Sequence, residues 1–231
     1  MKQPFFVGCL VFLVIAAALL IFGGTQVYQR LKATGEEVDA IRTAIAAHDG
    51  QHPFTPPPTR EIAPEQLERV LAVRAGVAAP ISEFLNRLKD GGVMDKVRAG
   101  IELMPTVSRA FLEQLKAQQI SSTEYLWVID QVMAVILRGK SPDASEPHRR
   151  LYQAYQAATT VTDKNRQVRT IEHGNELLER ALAADVSPTE EALILARSEP
   201  IIASMTAVLG DAVLASLVEH DRRNHPTDQS K

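Results

Sequence analysis

An uncharged apolar segment at the N-terminus constrains this chain more than any other feature. Residues 5–22 carry no charged side chain and directly follow Met1, Lys2, Gln3 and Pro4. A helix of that length, rising about 1.5 Å per residue, spans roughly 27 Å, which is close to the hydrocarbon thickness of a bilayer. We therefore predict that residues 1–3 form a short head and that residues 4–23 form a transmembrane anchor in the lipid bilayer.

Two other interpretations of this segment are open. A cleaved signal peptide has an apolar region of about 7–15 residues and a small-x-small cleavage site. The apolar run here is longer, and residues 23–28 offer only a weak cleavage site, so an uncleaved signal-anchor is favoured. Lipidation at Cys9 would leave only residues 5–8 as apolar sequence before the cysteine, too few for a signal region. We interpret Cys9 as a small apolar residue of the membrane helix.

The orientation of the anchor is set only weakly by charge. Lys2 and the terminal amine lie on one side, and Arg30 and Lys32 on the other, so the positive-inside rule is nearly balanced. A very short head before a long apolar run is typical of an exported chain. We predict a single-pass membrane protein whose body is periplasmic or extracellular.

The composition of the rest of the chain favours helices. Ala, Leu, Val, Glu, Gln and Arg are abundant, and these residues, apart from Val, lose little side-chain entropy in a helix. The predicted fold class is all-α, with an antiparallel bundle of about five helices following the anchor, and we expect no β-sheet. Charges of both signs are interspersed without a basic block, which argues against nucleic acid as a partner.

The chain divides into successive segments. We predict a juxtamembrane helix at residues 24–51, because apolar residues recur there at partly helical spacing up to Gly50. Residues 52–61 form a proline-rich linker, since proline lacks the amide donor that a helix needs. Pro53-x-x-Pro56 could instead be a ligand for a proline-recognition module. Residues 62–219 form the helical bundle domain, and residues 220–231 form a disordered tail.

Three segments of the body carry similar helix-start signals: residues 62–66, 120–124 and 186–190. Ser121 with Glu124 and Ser187 with Glu190 fit capping boxes, in which serine and glutamate satisfy amides that a helix start leaves unpaired. Proline suits the first helical position in the first and third segments. We predict three helix starts rather than three copies of a repeat.

Apolar residues at spacings of three and four predict the buried face of each helix. A long helix is expected from about residue 149 to 184, and a final one from about residue 188 to 219 with a bend at Pro200. The predicted inward positions are Leu67, Val70, Leu71, Val77, Ile81, Phe84, Leu85, Leu88, Val93, Val97, Ile101, Met104, Phe111, Leu112, Leu115, Leu126, Ile129, Val132, Met133, Ile136, Leu151, Tyr155, Ala158, Val161, Val168, Ile171, Leu178 and Leu182.

Residues 201–218 form a second apolar stretch, interrupted by one charge at Asp211. Its length would allow it to cross a bilayer. An aspartate near the middle of a membrane helix costs about 2.5 to 3.5 kcal/mol on an insertion scale, and the Ala, Ser, Thr and Gly content compensates little. We predict a buried helix of the bundle.

The chain lacks the sequence signatures of common catalytic and cofactor sites. It contains no phosphate loop, no Gly-x-Ser-x-Gly elbow, no dinucleotide fingerprint and no His-Glu-x-x-His zinc motif. His48 and His52 are four residues apart, but Gly50 and Pro53 make a helical ligand pair doubtful. We predict no enzyme activity, no cofactor and no metal.

Aromatic residues provide the candidate interaction surface. Tyr125 and Trp127, the only tryptophan, are two apart on a helix and cannot both face the core. One of them packs at the margin between helices, or the pair marks a binding surface that Tyr152 and Tyr155 complete. Our leading hypothesis is a membrane-tethered helical interaction or scaffold module with a protein partner. The alternatives are a sensor or carrier of a small molecule or lipid, and a secreted helical domain.

Overall fold

The computed structural model describes residues 24–59, 61–90, 93–162, 168–170, 181–207, 211, 214, 215 and 218. The chain is helical, and its body is a helical bundle, as predicted. The helices are α1 (Gly24–Gln51), α2 (Pro64–Asp90), α3 (Val93–Gln118), α4 (Ser122–Arg138), α5 (Glu146–Thr159), α6 (Pro188–Ala196) and α7 (Ser198–Ala203), followed by a 3₁₀ turn at Met205–Ala207. Two short strands, β1 (Thr160–Thr162) and β2 (Val168–Thr170), lie between α5 and α6.

The bundle is centred on a hairpin of two long helices. α2 and α3 are separated by two residues and pack along each other, while α1 packs on the other side of α3. Pro80 and Pro105 both lie inside these helices without ending them. α4 runs at 97° to the second half of α3 and packs on α2 and α5, and the C-terminal segments contact α2 and α5.

The predicted apolar faces of α2, α3 and α4 form the core. Periodicity identifies these positions because a helix that packs on one side buries every third or fourth residue. Predicted inward residues of α2 and α3 between 84 and 104 lie outside the residues whose side chains are described. The confirmed core positions are Leu67, Val70, Leu71, Val77, Ile81, Phe111, Leu112, Leu115, Leu126, Ile129, Val132, Met133, Ile136 and Leu151.

The long helix predicted from residue 149 to 184 is wrong. α5 ends at Thr159, and Thr160 to Thr162 pairs antiparallel with Val168 to Thr170. The four residues Thr159 to Thr162 are all β-branched, and restricted side-chain rotation makes such a run a poor helix former and a good strand former. Beyond the strands, Leu182, predicted to face inward, is 70% exposed, whereas Ala181 is buried.

The last predicted helix is also interrupted. α6 ends at Ala196, Arg197 leaves helical geometry at φ −107° and ψ 19°, and α7 begins at Ser198. The break precedes Pro200, which was expected to bend the helix. Pro200 is the third residue of α7, where a backbone amide has no partner within the helix, so its missing N–H costs nothing there.

Neither the predicted anchor at residues 4–23, nor the head at 1–3, nor the tail at 220–231 falls within the described residues. In the part of the chain that the structure does describe, no single helix has both the length and the apolar character to cross a bilayer. One bent pair, Pro105–Gln118 with Ser122–Arg138, meets those two criteria jointly, with 97° between its halves.

Replacing Gly139 with alanine is expected to destabilise the bundle. The added Cβ would press on the backbone carbonyl of His148 and lie 2.6 Å from the Cβ of Tyr152, where α4 and α5 approach closely. Forced overpacking of this kind costs about 1–3 kcal/mol, which urea unfolding of the purified chain would measure.

The matched control is Gly35→Ala in α1. Nothing lies within 4 Å of a Cβ at that position, so alanine should stabilise the helix by about 0.5–1 kcal/mol. Equal effects of the two substitutions would show that the α4–α5 approach does not require glycine.

Candidate functional site

The start of α6 is held by the capping box that the sequence predicts. The backbone N–H of Glu190 donates to Ser187 Oγ at 3.2 Å, and the N–H of Ser187 donates to Glu190 Oε2 at 3.0 Å. The second carboxylate oxygen of Glu190 accepts the backbone N–H of Ile62 at 2.9 Å. One buried carboxylate therefore caps α6 and also fixes the segment that leads into α2.

The start of α4 is capped by only half of its predicted box. Ser121 Oγ accepts the N–H of Glu124 at 3.0 Å, but the Glu124 carboxylate accepts instead from Gln66 Nε2 and from the guanidinium of Arg69, each at 3.0 Å. This carboxylate therefore joins the start of α4 to the start of α2. The three helix starts recognised in the sequence meet at one end of the bundle.

The C-terminal end of α1 joins the same junction. Asp49 Oδ1 accepts the N–H of Ser122 at 2.7 Å, and Asp49 also accepts from the Ser122 hydroxyl. The buried ring of His48 donates through Nε2 to the carbonyl of Ile120 at 2.9 Å. A carboxylate near the first amides of α4 is favoured by the helix dipole, so α1 is fixed to the bundle by charge as well as by packing.

A buried charged cluster lies in the centre of the bundle. Arg74 of α2 is 1% exposed, and its guanidinium donates to Asp211 Oδ2 at 2.6 Å. The same guanidinium donates to Ser204 Oγ at 3.1 Å and to the Ser204 carbonyl at 3.2 Å. Buried ions are tolerated only when charge and hydrogen bonds are both satisfied, and these contacts supply both.

Tyr125 of α4 completes this cluster. Its hydroxyl donates to Asp211 Oδ1 at 2.5 Å, and its ring meets Phe111 edge-on with centroids 5.5 Å apart. Burial, together with the negative charge of Asp211, raises the pKa of Tyr125 well above its usual value. The hydroxyl therefore remains protonated and serves as a donor to the carboxylate.

A second polar cluster joins α4, α5 and α6. Ser145 Oγ lies 2.7 Å from Nδ1 of the buried His148, and Nε2 of that ring lies 2.9 Å from Glu191 Oε1 outside hydrogen-bond geometry. Arg138 pairs with the other Glu191 oxygen. Serine, histidine and acid also make up hydrolase triads. Here Ser145 immediately precedes α5 and stands three residues before His148, so we interpret the contact as a helix-start interaction.

The four predicted aromatic residues occupy different environments. Tyr125 is buried in the charged cluster and cannot belong to an exposed surface. Trp127 is half-buried and packs on Phe54 of the proline-rich linker, with ring centroids 5.5 Å apart. Tyr152 and Tyr155 are half-buried and stack on each other at 6.2 Å. Burial and the neighbouring Tyr152 raise the pKa of Tyr155.

Sequence reasoning did not identify Arg74 as the partner of Asp211. The available signal was a charged residue among the apolar positions of a helix: Val70, Val73 and Val77 surround Arg74 in sequence and are buried with it. Two opposite charges, each placed in an apolar stretch, are expected to pair, because neither can be buried alone. Because the two residues are 137 positions apart, no local sequence pattern indicated that they pair.

No group of three histidine, cysteine, aspartate or glutamate side chains suited to a metal ion occurs among the described residues. Comparison with protein-family models, curated proteins and solved structures finds no match to the chain.

Replacing Arg74 with methionine is expected to cost about 3–5 kcal/mol of unfolding free energy, because Asp211 would remain buried without its counter-charge. The double variant Arg74→Met with Asp211→Leu should recover much of that loss, since both charges are then gone. Urea unfolding of the four members of this cycle measures the coupling between the two residues.

Arg150→Met is the matched control, because Arg150 pairs with Glu199 at an exposed position. Its cost should stay within about 1 kcal/mol. If Arg74→Met cost no more than this control, the buried pair would not organise the bundle.

Stability should depend on pH through His148. Burial and the positive charge of Arg138 lower the pKa of His148 in the folded chain. Between that lowered pKa and the unfolded value of about 6.5, the unfolded chain binds more protons, so acid favours unfolding. This contribution is fully present above about pH 6.5 and is lost as the pH falls towards the folded pKa.

The variant His148→Gln should therefore lose less stability than the wild type between about pH 7.5 and about pH 5.5, measured as the shift of the urea midpoint. His225→Gln, in the tail predicted at residues 220–231, should behave like the wild type. An unchanged pH dependence in His148→Gln would exclude His148 as the titrating group.

Proposed function

We propose that the protein is a membrane-tethered, non-enzymatic helical interaction module, with residues 4–23 in the bilayer and the bundle on the exported side. The observation that carries the proposal is the uncharged segment at residues 5–22, which immediately precedes α1. A module of this kind needs an anchor, a folded body and a surface that a partner protein can bind.

The packing of α1 supports a stiff connection between anchor and bundle. Ile41, Ile45 and His48 are buried against the body, and Asp49 is bonded to the first residue of α4. An anchor that continues into α1 would therefore limit the orientation of the bundle relative to the bilayer. A flexible linker would leave that orientation free.

The proline-rich linker also belongs to the folded body. Phe54 packs on Trp127, and Ile62, directly after the linker, is buried and donates its backbone N–H to the Glu190 carboxylate. The linker therefore lies against α4. Its prolines restrict the unfolded chain, so fixing the linker in this position costs less conformational entropy.

Two pairs of half-buried aromatic rings supply the surface that we propose for the partner. These are Phe54 with Trp127, and Tyr152 with Tyr155. Such rings provide a large apolar contact area at low entropic cost and are enriched in protein interfaces. Tyr125, buried in the core, has a structural role instead.

The proposal is tested with the full chain in its native membrane. A photoreactive phenylalanine replaces Tyr152, and the membranes are irradiated and then washed with alkaline carbonate. We expect the chain to remain in the membrane pellet, because a spanning apolar helix is not extracted with peripheral proteins. We also expect a discrete cross-link to a protein partner.

The same photoreactive residue at Ala157 provides the control, since Ala157 is exposed and lies well around α5 from Tyr152. Recovery of the chain in the alkaline wash, with its first residues missing, would contradict the tether. Cross-links to lipid alone at Tyr152, or the same products from Ala157, would contradict the interaction surface.

A further inference from the structure

His48 and His52 form a helical pair at the C-terminal end of α1. The sequence made such a pair doubtful, because Gly50 lies between the two residues and Pro53 follows them. In the structure, α1 continues through Gly50 to Gln51, and the backbone N–H of His52 still donates to the carbonyl of His48 at 3.0 Å. Residues four apart on a helix lie on the same face. The two imidazole rings are therefore neighbours.

The distance between the two rings suits two ligands of one metal ion. An imidazole bound to a first-row metal ion has its ring centre about 3.2 Å from the ion, because the bond to nitrogen is about 2.0–2.1 Å long. Two rings bound at about 90° to each other then have centres about 4.5 Å apart, whereas a tetrahedral angle gives about 5.2 Å. The ring centres of His48 and His52 are 4.5 Å apart. This separation fits adjacent ligands of a square-planar or octahedral ion.

The hydrogen bonds of the pair leave a free nitrogen on each ring. His48 donates through Nε2 to the carbonyl of Ile120 at 2.9 Å, so its lone pair is on Nδ1. A histidine that binds a metal commonly donates its other ring nitrogen to a backbone carbonyl, which fixes the ring and makes the ligand nitrogen more basic. In the part of the chain that the structure describes, Nδ1 of His48 and both ring nitrogens of His52 have no hydrogen-bond partner. Each ring therefore offers a lone pair.

The surroundings of the pair favour a cation and let it enter. The unpaired carbonyls at the C-terminal end of a helix carry partial negative charge, and both histidines lie at that end of α1. His48 is 5% exposed, and its unbonded Nδ1 lies at the accessible edge of the ring. His52 is half-buried. An ion therefore reaches the pair from the side of His52, where α1 passes into the proline-rich linker.

The pair supplies two ligands, and their chemistry narrows the choice of ion. Among the described residues, no group of three histidine, cysteine or acidic side chains is placed to hold a metal. Water would fill the remaining positions. Imidazole nitrogens suit Cu²⁺, Ni²⁺ and Zn²⁺, of which Cu²⁺ binds most tightly to a given site, whereas Mg²⁺ and Ca²⁺ prefer oxygen ligands.

We propose that His48 and His52 form a binding site for a divalent transition-metal ion, with Cu²⁺ bound most tightly. Its protein ligands are Nδ1 of His48 and one ring nitrogen of His52. Because His48 also bonds to the turn before α4, a bound ion joins that turn to the start of the proline-rich linker. This proposal replaces the sequence-based expectation that the chain binds no metal. It depends neither on the proposed tether nor on the aromatic surface.

The test titrates the purified full chain in detergent micelles, without an affinity tag and with Cys9→Ser, because a thiol binds and reduces Cu²⁺. Isothermal titration with a Cu²⁺–glycine complex should give one strong site per chain. Ni²⁺ should bind more weakly, and Mg²⁺ should not bind at the same concentration. His52→Gln should weaken Cu²⁺ binding at least about tenfold, because one of the two protein ligands is lost.

His225→Gln is the matched control and should keep the wild-type affinity, because His225 does not belong to the pair. His48→Gln should weaken binding as much as His52→Gln. It also removes the hydrogen bond to Ile120, so circular dichroism checks its fold, and His52→Gln decides the test if it unfolds. Pulsed electron paramagnetic resonance of the chain with one Cu²⁺ should detect two coupled imidazoles, and only one in His52→Gln.

The outcomes are distinct from those that test the proposed function. Equal Cu²⁺ affinity in the wild type and in His52→Gln would overturn the site, and so would a loss of affinity in His225→Gln alone. A single coupled imidazole in the wild type would overturn the pairing of the two ligands. Release of the chain in the alkaline wash, together with Cu²⁺ binding at the pair, would refute the tether and leave the metal site standing.

Discussion

The buried pair of Arg74 and Asp211 is the constraint on which the arrangement of the bundle depends. Bringing both charges out of water is costly. The cost is offset only where the guanidinium donates to the Asp211 carboxylate and the Ser204 oxygens while the Tyr125 hydroxyl donates to the same carboxylate. Apolar side chains could fill the same volume in several registers. We expect this cluster to select one alignment of α2, α4 and the C-terminal segment rather than to add much net stability.

A second constraint acts at the junction of helix starts. Glu190 and Glu124 each serve two elements, because a carboxylate has more acceptor sites than one cap uses. Asp49 brings the end of α1 into the same junction through Ser122. The orientation of α1 is thereby coupled to the bundle. In the proposed function, these contacts decide how the aromatic surface is presented to a partner.

Local sequence rules accounted for the features that depend on neighbouring residues. The caps at Ser121 and Ser187 and the apolar faces of α2 and α4 follow from amide geometry and helical spacing. The same rules failed at Thr159 to Thr162, where helical spacing continued in the sequence but β-branched residues favoured a strand. Beyond the strands, Leu182 is exposed although an uninterrupted helix would have placed it inward.

The sequence by itself determined a helical chain, the serine caps of α4 and α6, the apolar faces of α2 and α4, and an apolar N-terminal segment, because each is encoded within a few turns of chain. Only the tertiary structure decided that Arg74 pairs with Asp211 and that Phe54 of the proline-rich linker packs on Trp127. It also decided that the Glu124 carboxylate accepts from Gln66 of α2 instead of completing the cap of α4. Each joins residues more than fifty positions apart, and which distant groups meet depends on how whole helices pack, a property that no local window of sequence contains.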